Sequence, residues 1–255
     1  MTEEIEQKLE GFDTIALKDL GSVALLDRVD TKYVGHVNQL AKILPALQKE
    51  YKVLYHQGVK QFAYETTYLD TSDFQFYRAH HQGRANRYKV RTRGYRDTGV
   101  YFDEIKFKDN RKKTYKTRVQ RDERDTVVDV DFLDFIAESP ELETLRDDLK
   151  PVLDVDYTRM TFVNNQYTER ITLDYALRFN KEQVNSQLDN LFILEVKKSS
   201  LNQKSVMESI LKNHKIYPSR ISKYCVGMVM TNKSLKHNRF KPLIRNISKI
   251  NSEVS

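Results

Sequence analysis

The sequence predicts an α+β fold: a closed antiparallel β-barrel of about eight or nine strands, with a charged lumen and helices packed outside. Three observations lead there. Between Arg87 and Arg93 the chain reads Arg-Tyr-Lys-Val-Arg-Thr-Arg. Strand alternation puts Arg87, Lys89, Arg91 and Arg93 on one face, ~7 Å apart. At an effective dielectric near ~20 each adjacent pair repels by about 2 kcal/mol, so the row either faces water or is aimed at a polyanion. Second, the pattern recurs. Residues 100–108 group Phe102, Glu104, Lys106 and Lys108; residues 112–119 group Lys112, Thr114, Lys116 and Arg118. Residues 157–163 set Arg159 opposite Thr158, Met160 and Phe162, residues 170–177 group Arg170, Thr172 and Asp174, and residues 191–198 group Glu195 with Lys197. Third, the opposite faces are largely apolar. A barrel holding the charged faces inside must turn its apolar faces outward, where helices cover them.

The elements follow in order. Residues 1–27 read as helical or irregular, with residues 1–24 set apart as an N-terminal helical segment. Residues 28–35 form a short strand and residues 37–50 an amphipathic helix kinked at Pro45. Strands follow at 51–55 and 61–70, then a helix over 73–81 with Ser72 as N-cap, ending toward Gly83. The charged strands are joined by turn signals at 96–99 and 108–111. Residues 131–149 read as one or two helices broken at Pro140. Strands span 152–163, 170–179 and 191–198. Helices close the chain at 203–213 and 219–231, the latter with Ser219 as N-cap. Residues 1–232 read as a single domain, and the basic stretch 233–255 as a frayed, solvated tail.

Composition narrows the class. Net charge is +7, with 39% hydrophobic and 31% charged residues. That is lean for a conventional core and favours anionic partners. Tyr and Phe number 15 and 12, as in a strand-rich protein. The single cysteine, Cys225, excludes an intrachain disulfide framework and reads as buried packing in a reducing, cytoplasmic protein. The N-terminus is unlike a signal peptide, and no apolar run approaches the ~20 residues of a membrane span.

The segments Leu-Leu-Asp-Arg-Val-Asp-Thr-Lys-Tyr (25–33), Thr-Thr-Tyr-Leu-Asp-Thr (66–71), Tyr-Lys-Val-Arg-Thr-Arg-Gly-Tyr (88–95) and Glu-Ile-Lys-Phe-Lys (104–108) resemble strands of the VTC domain. This is the polyphosphate polymerase branch of the triphosphate tunnel metalloenzymes. Tyr-Thr-Arg (157–159), Arg-Ile-Thr-Leu-Asp (170–174), Leu-Glu-Val-Lys (194–197) and Ser-Arg-Ile-Ser-Lys-Tyr (219–224) continue the resemblance in the family's order. The resemblance implies an enzyme that transfers the γ-phosphoryl group of ATP to a growing polyphosphate chain with Mn²⁺ or Mg²⁺. It implies Arg91, Arg93, Lys106, Arg159 and Lys223 as catalytic cations, and Lys32, Arg170 and Arg220 as substrate binders. One or more of Lys112, Lys113 and Lys116 joins them, and Lys89 shares the face of Arg91. Glu195 matches the family's metal-binding glutamate, with Glu104 as helper. Where the hydrolase and cyclase branch carries Glu-x-Glu-x-Lys, this chain reads Arg28-x-Asp30-x-Lys32, which argues against that branch. The sequence shows no regulatory domain or membrane helix of the eukaryotic polymerases, so any membrane coupling is expected from a separate partner.

Two other readings stand beside this one: a tripolyphosphatase or nucleoside triphosphatase in the same tunnel, and a non-catalytic polyphosphate-binding protein. Nucleic acid is disfavoured because the aromatics mostly alternate away from the cations. Asp30 and Asp174 read as partners that orient arginines rather than as metal ligands. His80 and His81 read as surface residues, and Arg220 and Lys223 as one helix face.

Overall fold

The computed structural model describes residues 2–23, 29–111, 113–121, 127–200 and 202–253. Arg28 and Lys112 lie outside them. The elements are α1 (Thr2–Glu10), β1 (Thr14–Ala16), β2 (Val29–His36), α2 (Leu40–Leu47), β3 (Tyr51–Tyr55), β4 (Phe62–Asp70), α3 (Gln75–Gln82), β5 (Arg87–Tyr95), β6 (Val100–Lys108) and β7 (Thr114–Arg121). They continue as α4 (Val130–Ala137), α5 (Pro140–Glu143), β8 (Lys150–Asn164), β9 (Glu169–Lys181), β10 (Val184–Leu188), β11 (Leu191–Lys198), α6 (Val206–Asn213), α7 (Lys223–Thr231) and α8 (Lys241–Ser252).

Eleven strands form one sheet in the order β2-β11-β9-β8-β4-β5-β6-β7, with β3 beside β8, β10 beside β9, and β1 parallel to β3. All other pairings are antiparallel. The two long strands, β8 and β9, carry the rest: β8 pairs β4 and β3 along one edge, and β9 pairs β11 and β10 along the other.

The expected closed barrel is not what forms. The sheet is open, with β2 and β7 as its ends. Closure needs free ladder groups on both end strands, and those of β2 are in part already used. Segment 216–222 runs along its outer edge, where Tyr33 bridges Pro218 and Ser219 N donates to Lys32 O at 2.7 Å. At the other end, β7 is exposed from Thr114 to Gln120. Side chains tether the same segment: Lys32 Nζ on β2 donates to Ile221 O at 3.2 Å, and Lys89 Nζ on β5 to Ser222 Oγ at 3.1 Å. The open sheet still curls, and the curl brings Lys106 on β6 within electrostatic reach of Lys32 on β2 and Glu195 on β11. Its concave side is a groove.

Apolar packing lies largely on the convex side, as alternation requires. Tyr33, Phe162, Ile171, Leu173, Leu194 and Val196 pack under α1, α2 and α6. Leu69, Val90 and Ile105 pack under α3, α4 and α5. The third cluster is different: α7 and α8 pack with Leu153, Val155, Tyr157, Leu177 and Phe179. Gly227 makes that approach possible, since a Cβ there would stand 2.5 Å from Phe179 and 2.6 Å from Leu153.

Several local expectations change. Helix α3 begins at Gln75, and its N-terminus is held by Asp70 rather than Ser72. The Asp70 carboxylate accepts from Phe76 N at 2.8 Å and Tyr77 N at 2.9 Å. Helix α7 begins at Lys223 with Ser222 as its cap, because the chain before it is extended along β2. Arg220 therefore precedes the helix and does not share a face with Lys223. The C-terminal stretch is not a frayed tail, since α8 docks through Ile247, which is 1% exposed. His81 is buried against Tyr77 and Phe240 rather than on the surface. No helix among the described residues is long and apolar enough to cross a membrane.

Candidate functional site

Directly opposed residues on neighbouring strands share a face, so the register fixes the lining of the groove. On β5 and β6, Arg91 stands opposite Glu104 and Lys89 opposite Lys106; on β7, Lys116 stands opposite Lys106 and Arg118 opposite Glu104. On β8, β9, β11 and β2, Arg159 opposes Asp174, Thr172 opposes Glu195, Arg170 opposes Lys197, and Glu195 opposes Lys32. Lys223 reaches the same face from the first turn of α7, where its Nζ pairs with Asp174. Thus Lys32, Lys89, Arg91, Arg93, Lys106, Lys116, Arg159, Arg170 and Lys223, all expected from the sequence, line one surface. Arg220 is exposed on the segment beside it, and Lys112 lies outside the described residues.

The groove has two charged centres. In the first, Glu104 Oε2 accepts from Arg91 Nε at 2.7 Å and lies 3.8 Å from Arg93 Nη1, while Oε1 pairs with Lys116. Burial raises the pKa of this carboxyl, but Arg91, Arg93 and Lys116 outweigh it and hold it well below the usual range. In the second, Asp174 accepts from Arg159 Nε at 2.5 Å and Nη2 at 2.8 Å and pairs with Lys223. Burial again raises its pKa, and Arg159 and Lys223 bring it far below normal. Asp174 thus orients cations, as expected. Asp30 stands 3.7 Å from Lys197.

Between these centres lie cations with fewer partners. Burial, together with the neighbouring charges of Lys32, Lys106 and Arg91, lowers Lys89 to about 7. Burial also brings Lys106 and Lys223 down to about 8. Arg93 Nε and the hydroxyls of Thr66 and Thr172 are buried without a hydrogen-bond partner among the described residues. The arrangement therefore holds cationic and donor capacity that its own carboxylates do not satisfy.

A divalent ion is implied by the family resemblance, and the lining fits one only in part. Both oxygens of Glu104, the expected helper ligand, face cations: Oε2 accepts from Arg91 and Oε1 pairs with Lys116. Glu195 pairs with Lys197 and lies near Lys32; burial raises its pKa, and these two lysines overcome it. Its side chain keeps 19% exposure, against 1% for Glu104. No cluster of three or more His, Cys, Asp or Glu suited to a metal occurs among the described residues. The donor set thus suits Mg²⁺ or Mn²⁺ that takes one carboxylate from the protein and its remaining oxygens from substrate phosphates and water.

Sequence reasoning missed two features of the lining. Lys197, grouped with Glu195 by alternation, sits between Glu195 and Asp30. Tyr64, Tyr68 and Tyr157 face the groove, against the expectation that aromatics mostly point away. Arg159 lies 4.9 Å from the Tyr64 ring and 5.3 Å from the Tyr157 ring, and Lys223 lies 4.2 Å from Tyr157. These rings carry the site's own cations. The period-two pattern of 62–70 held the signal for Tyr64 and Tyr68. A separate cavity of about 570 Å³ lies between β2, residues 215–219 and α8, away from the charged centres.

A curled antiparallel sheet with a cation-lined concave face, jacketed by helices, defines a class of anion-handling protein. Residues 27–232 match the VTC domain, and the chain belongs to that family. Among solved structures, the chain is similar to a candidate adenylyl cyclase from Hippeastrum described as having a dominant triphosphatase activity. That likeness has 13% identity, covers 83% of this chain and 100% of that one, and has a TM-score of 0.54. A candidate adenylate cyclase from Bacillus halodurans is 15% identical over 77% of this chain and 94% of its own, with a TM-score of 0.48. At such identities the likeness to the first is one of fold. No curated protein matches the chain.

Proposed function

We propose that the protein is a metal-dependent polyphosphate polymerase that transfers the γ-phosphoryl group of ATP to a growing polyphosphate chain in this groove. The observation that carries the reading is the excess of cations, most of them half-buried, over carboxylates on a single face, in a member of the VTC family. Phosphoryl transfer asks little covalent work of a protein. It asks for in-line positioning and for stabilisation of charge on the transferring group.

Arg91, Arg93 and Arg159 supply planar, permanently charged forks for phosphate oxygens, and Glu104, Asp174 and the tyrosine rings fix their orientation. Lys32, Lys89, Lys106 and Lys223 act as compact charges around them, with Lys116, Arg170 and Arg220 at the margins. Glu195, with substrate oxygens, would hold Mg²⁺ or Mn²⁺, and the ion would supply charge neutralisation at the leaving group. The acceptor is already an anion, so no general base is required.

The groove equally suits water as acceptor, and the fold likeness to a protein with triphosphatase activity favours that second reading. One incubation separates the readings. Protein with ATP and Mn²⁺ or Mg²⁺ is expected to give ADP and a ladder of polyphosphate on a gel. Phosphate without polymer assigns a hydrolase, and bound ATP without either product assigns a binding protein.

A further inference from the structure

Two stretches of this chain contain no aspartate or glutamate, residues 74–96 and 209–252, and they carry seven and ten Lys/Arg respectively. The chain has 36 acidic residues in all, so stretches this long without one are not the general run of the sequence. The fold brings the two together. Lys89 binds Ser222, Tyr77 Oη donates to Lys236 O at 3.1 Å, and Arg239 Nη1 donates to Gln82 O. Part of the joined surface is the groove itself. The rest is exposed around the C-terminal end of α3, where Arg87, the last cation of the β5 row, donates to Arg84 O at 2.8 Å.

Helix capping accounts for Arg239, which meets a terminal carbonyl of α3 at the negative end of its dipole. It does not account for Arg84, Lys233 and Lys236. These are exposed, and their side chains enter no ion pair among the described residues. The two ends of the β5 row also differ. Beyond Arg93 the next cation, Arg96, is held by Glu65 at 2.9 Å and Asp156 at 3.2 Å. Beyond Arg87 the cations continue without an acid. The row from Arg87 to Arg93 covers only about 20 Å, so a long polyanion must leave the groove, and charge favours the Arg87 end.

We infer that Arg84, Lys233 and Lys236, with Arg239 beside them, form a second polyphosphate site: a basic track that holds the part of a long chain the groove cannot contain. This rests on the reading of the groove as a polyphosphate site. It gives the protein a grip on polymer that does not depend on the reacting end.

The test is metal-free equilibrium binding of tripolyphosphate and of long-chain polyphosphate over a salt series. It compares the natural protein with Arg84→Glu/Lys233→Glu/Lys236→Glu and with Lys18→Glu/Lys42→Glu/Lys204→Glu, an equal charge change at exposed positions elsewhere. The track variant is expected to bind the long chain about tenfold more weakly or worse. Its salt slope should fall by about one for each phosphate charge no longer neutralised, with tripolyphosphate affinity held within about twofold, since that ligand fits the groove alone. The control variant keeps both affinities. Equal weakening of both ligands, or the same long-chain loss in the control, overturns the track. Retained long-chain binding with loss of binding to vesicles of anionic lipid overturns it in favour of a membrane surface. If the natural protein binds neither phosphate ligand, the reading of the groove has failed first, an outcome distinct from failure of the track.

Discussion

Glu104 and Glu195 sit on the same face of the same sheet, and their surroundings differ. Glu104 is sealed among Arg91, Arg93 and Lys116. Glu195 pairs with Lys197 and keeps a path to solvent. The first carboxylate orders the groove cations around it, and its removal leaves their charges unpaired. On the proposed function, the second exchanges its partner for a bound ion. Position on the groove face thus does not define a role; the number of cations already engaged does.

The largest effect that tests this contrast is on stability. Glu104→Gln is expected to lower the unfolding free energy by about 3–5 kcal/mol, the scale for breaking a buried ion pair from one side, read by urea denaturation. An unchanged midpoint would remove Glu104 from its central place. Glu195→Gln should do the reverse, costing about 1 kcal/mol of stability while lowering metal-dependent turnover by about 10²-fold or more. Full activity at limiting metal counts against Glu195 as the ligand.

A smaller effect separates lysines from arginines. Lys89 has a depressed free-state value of about 7, and Lys106 and Lys223 values of about 8. A bound polyanion favours the charged form and raises all three, so binding takes up protons. Affinity for tripolyphosphate is therefore full below about 7 and falls as pH rises through the lysine values, by up to about tenfold per pH unit for each proton taken up. Calorimetry in two buffers of different ionisation enthalpy measures that uptake. Lys89→Arg should reduce it, because a guanidinium stays charged. Smallest of all, Arg220→Ala should alter binding by less than about 1 kcal/mol, as expected for an exposed charge. A larger loss would return Arg220 to the groove.

Much of the lining was legible because a strand's period of two is a local property: Arg87 to Arg93, Glu104 and Lys106, Arg170 to Asp174, and Glu195 with Lys197 all fall where alternation puts them. The same locality explains what was missed. Whether β2 closes on β7 depends on Pro218 and Ser219, which are remote in sequence and read there as the approach to a helix. The cap moved from Ser219 to Ser222 for the same reason. Strand β10, Val-Asn-Ser-Gln-Leu, is mostly exposed and carries no apolar alternation. Tertiary packing against Phe240 and Tyr77, which no local pattern announces, set the burial of His81.

The wall segment before α7 is held by two ammonium groups, Lys32 of β2 on Ile221 O and Lys89 of β5 on Ser222 Oγ. An ammonium has three protons to donate, so each of these lysines spends one on the wall and retains two for whatever lies inside. The girth of the groove and its hold on a guest are therefore properties of the same side chains. Shortening either lysine slackens the wall and the grip together, and a loss of affinity there carries a mechanical part as well as an electrostatic one.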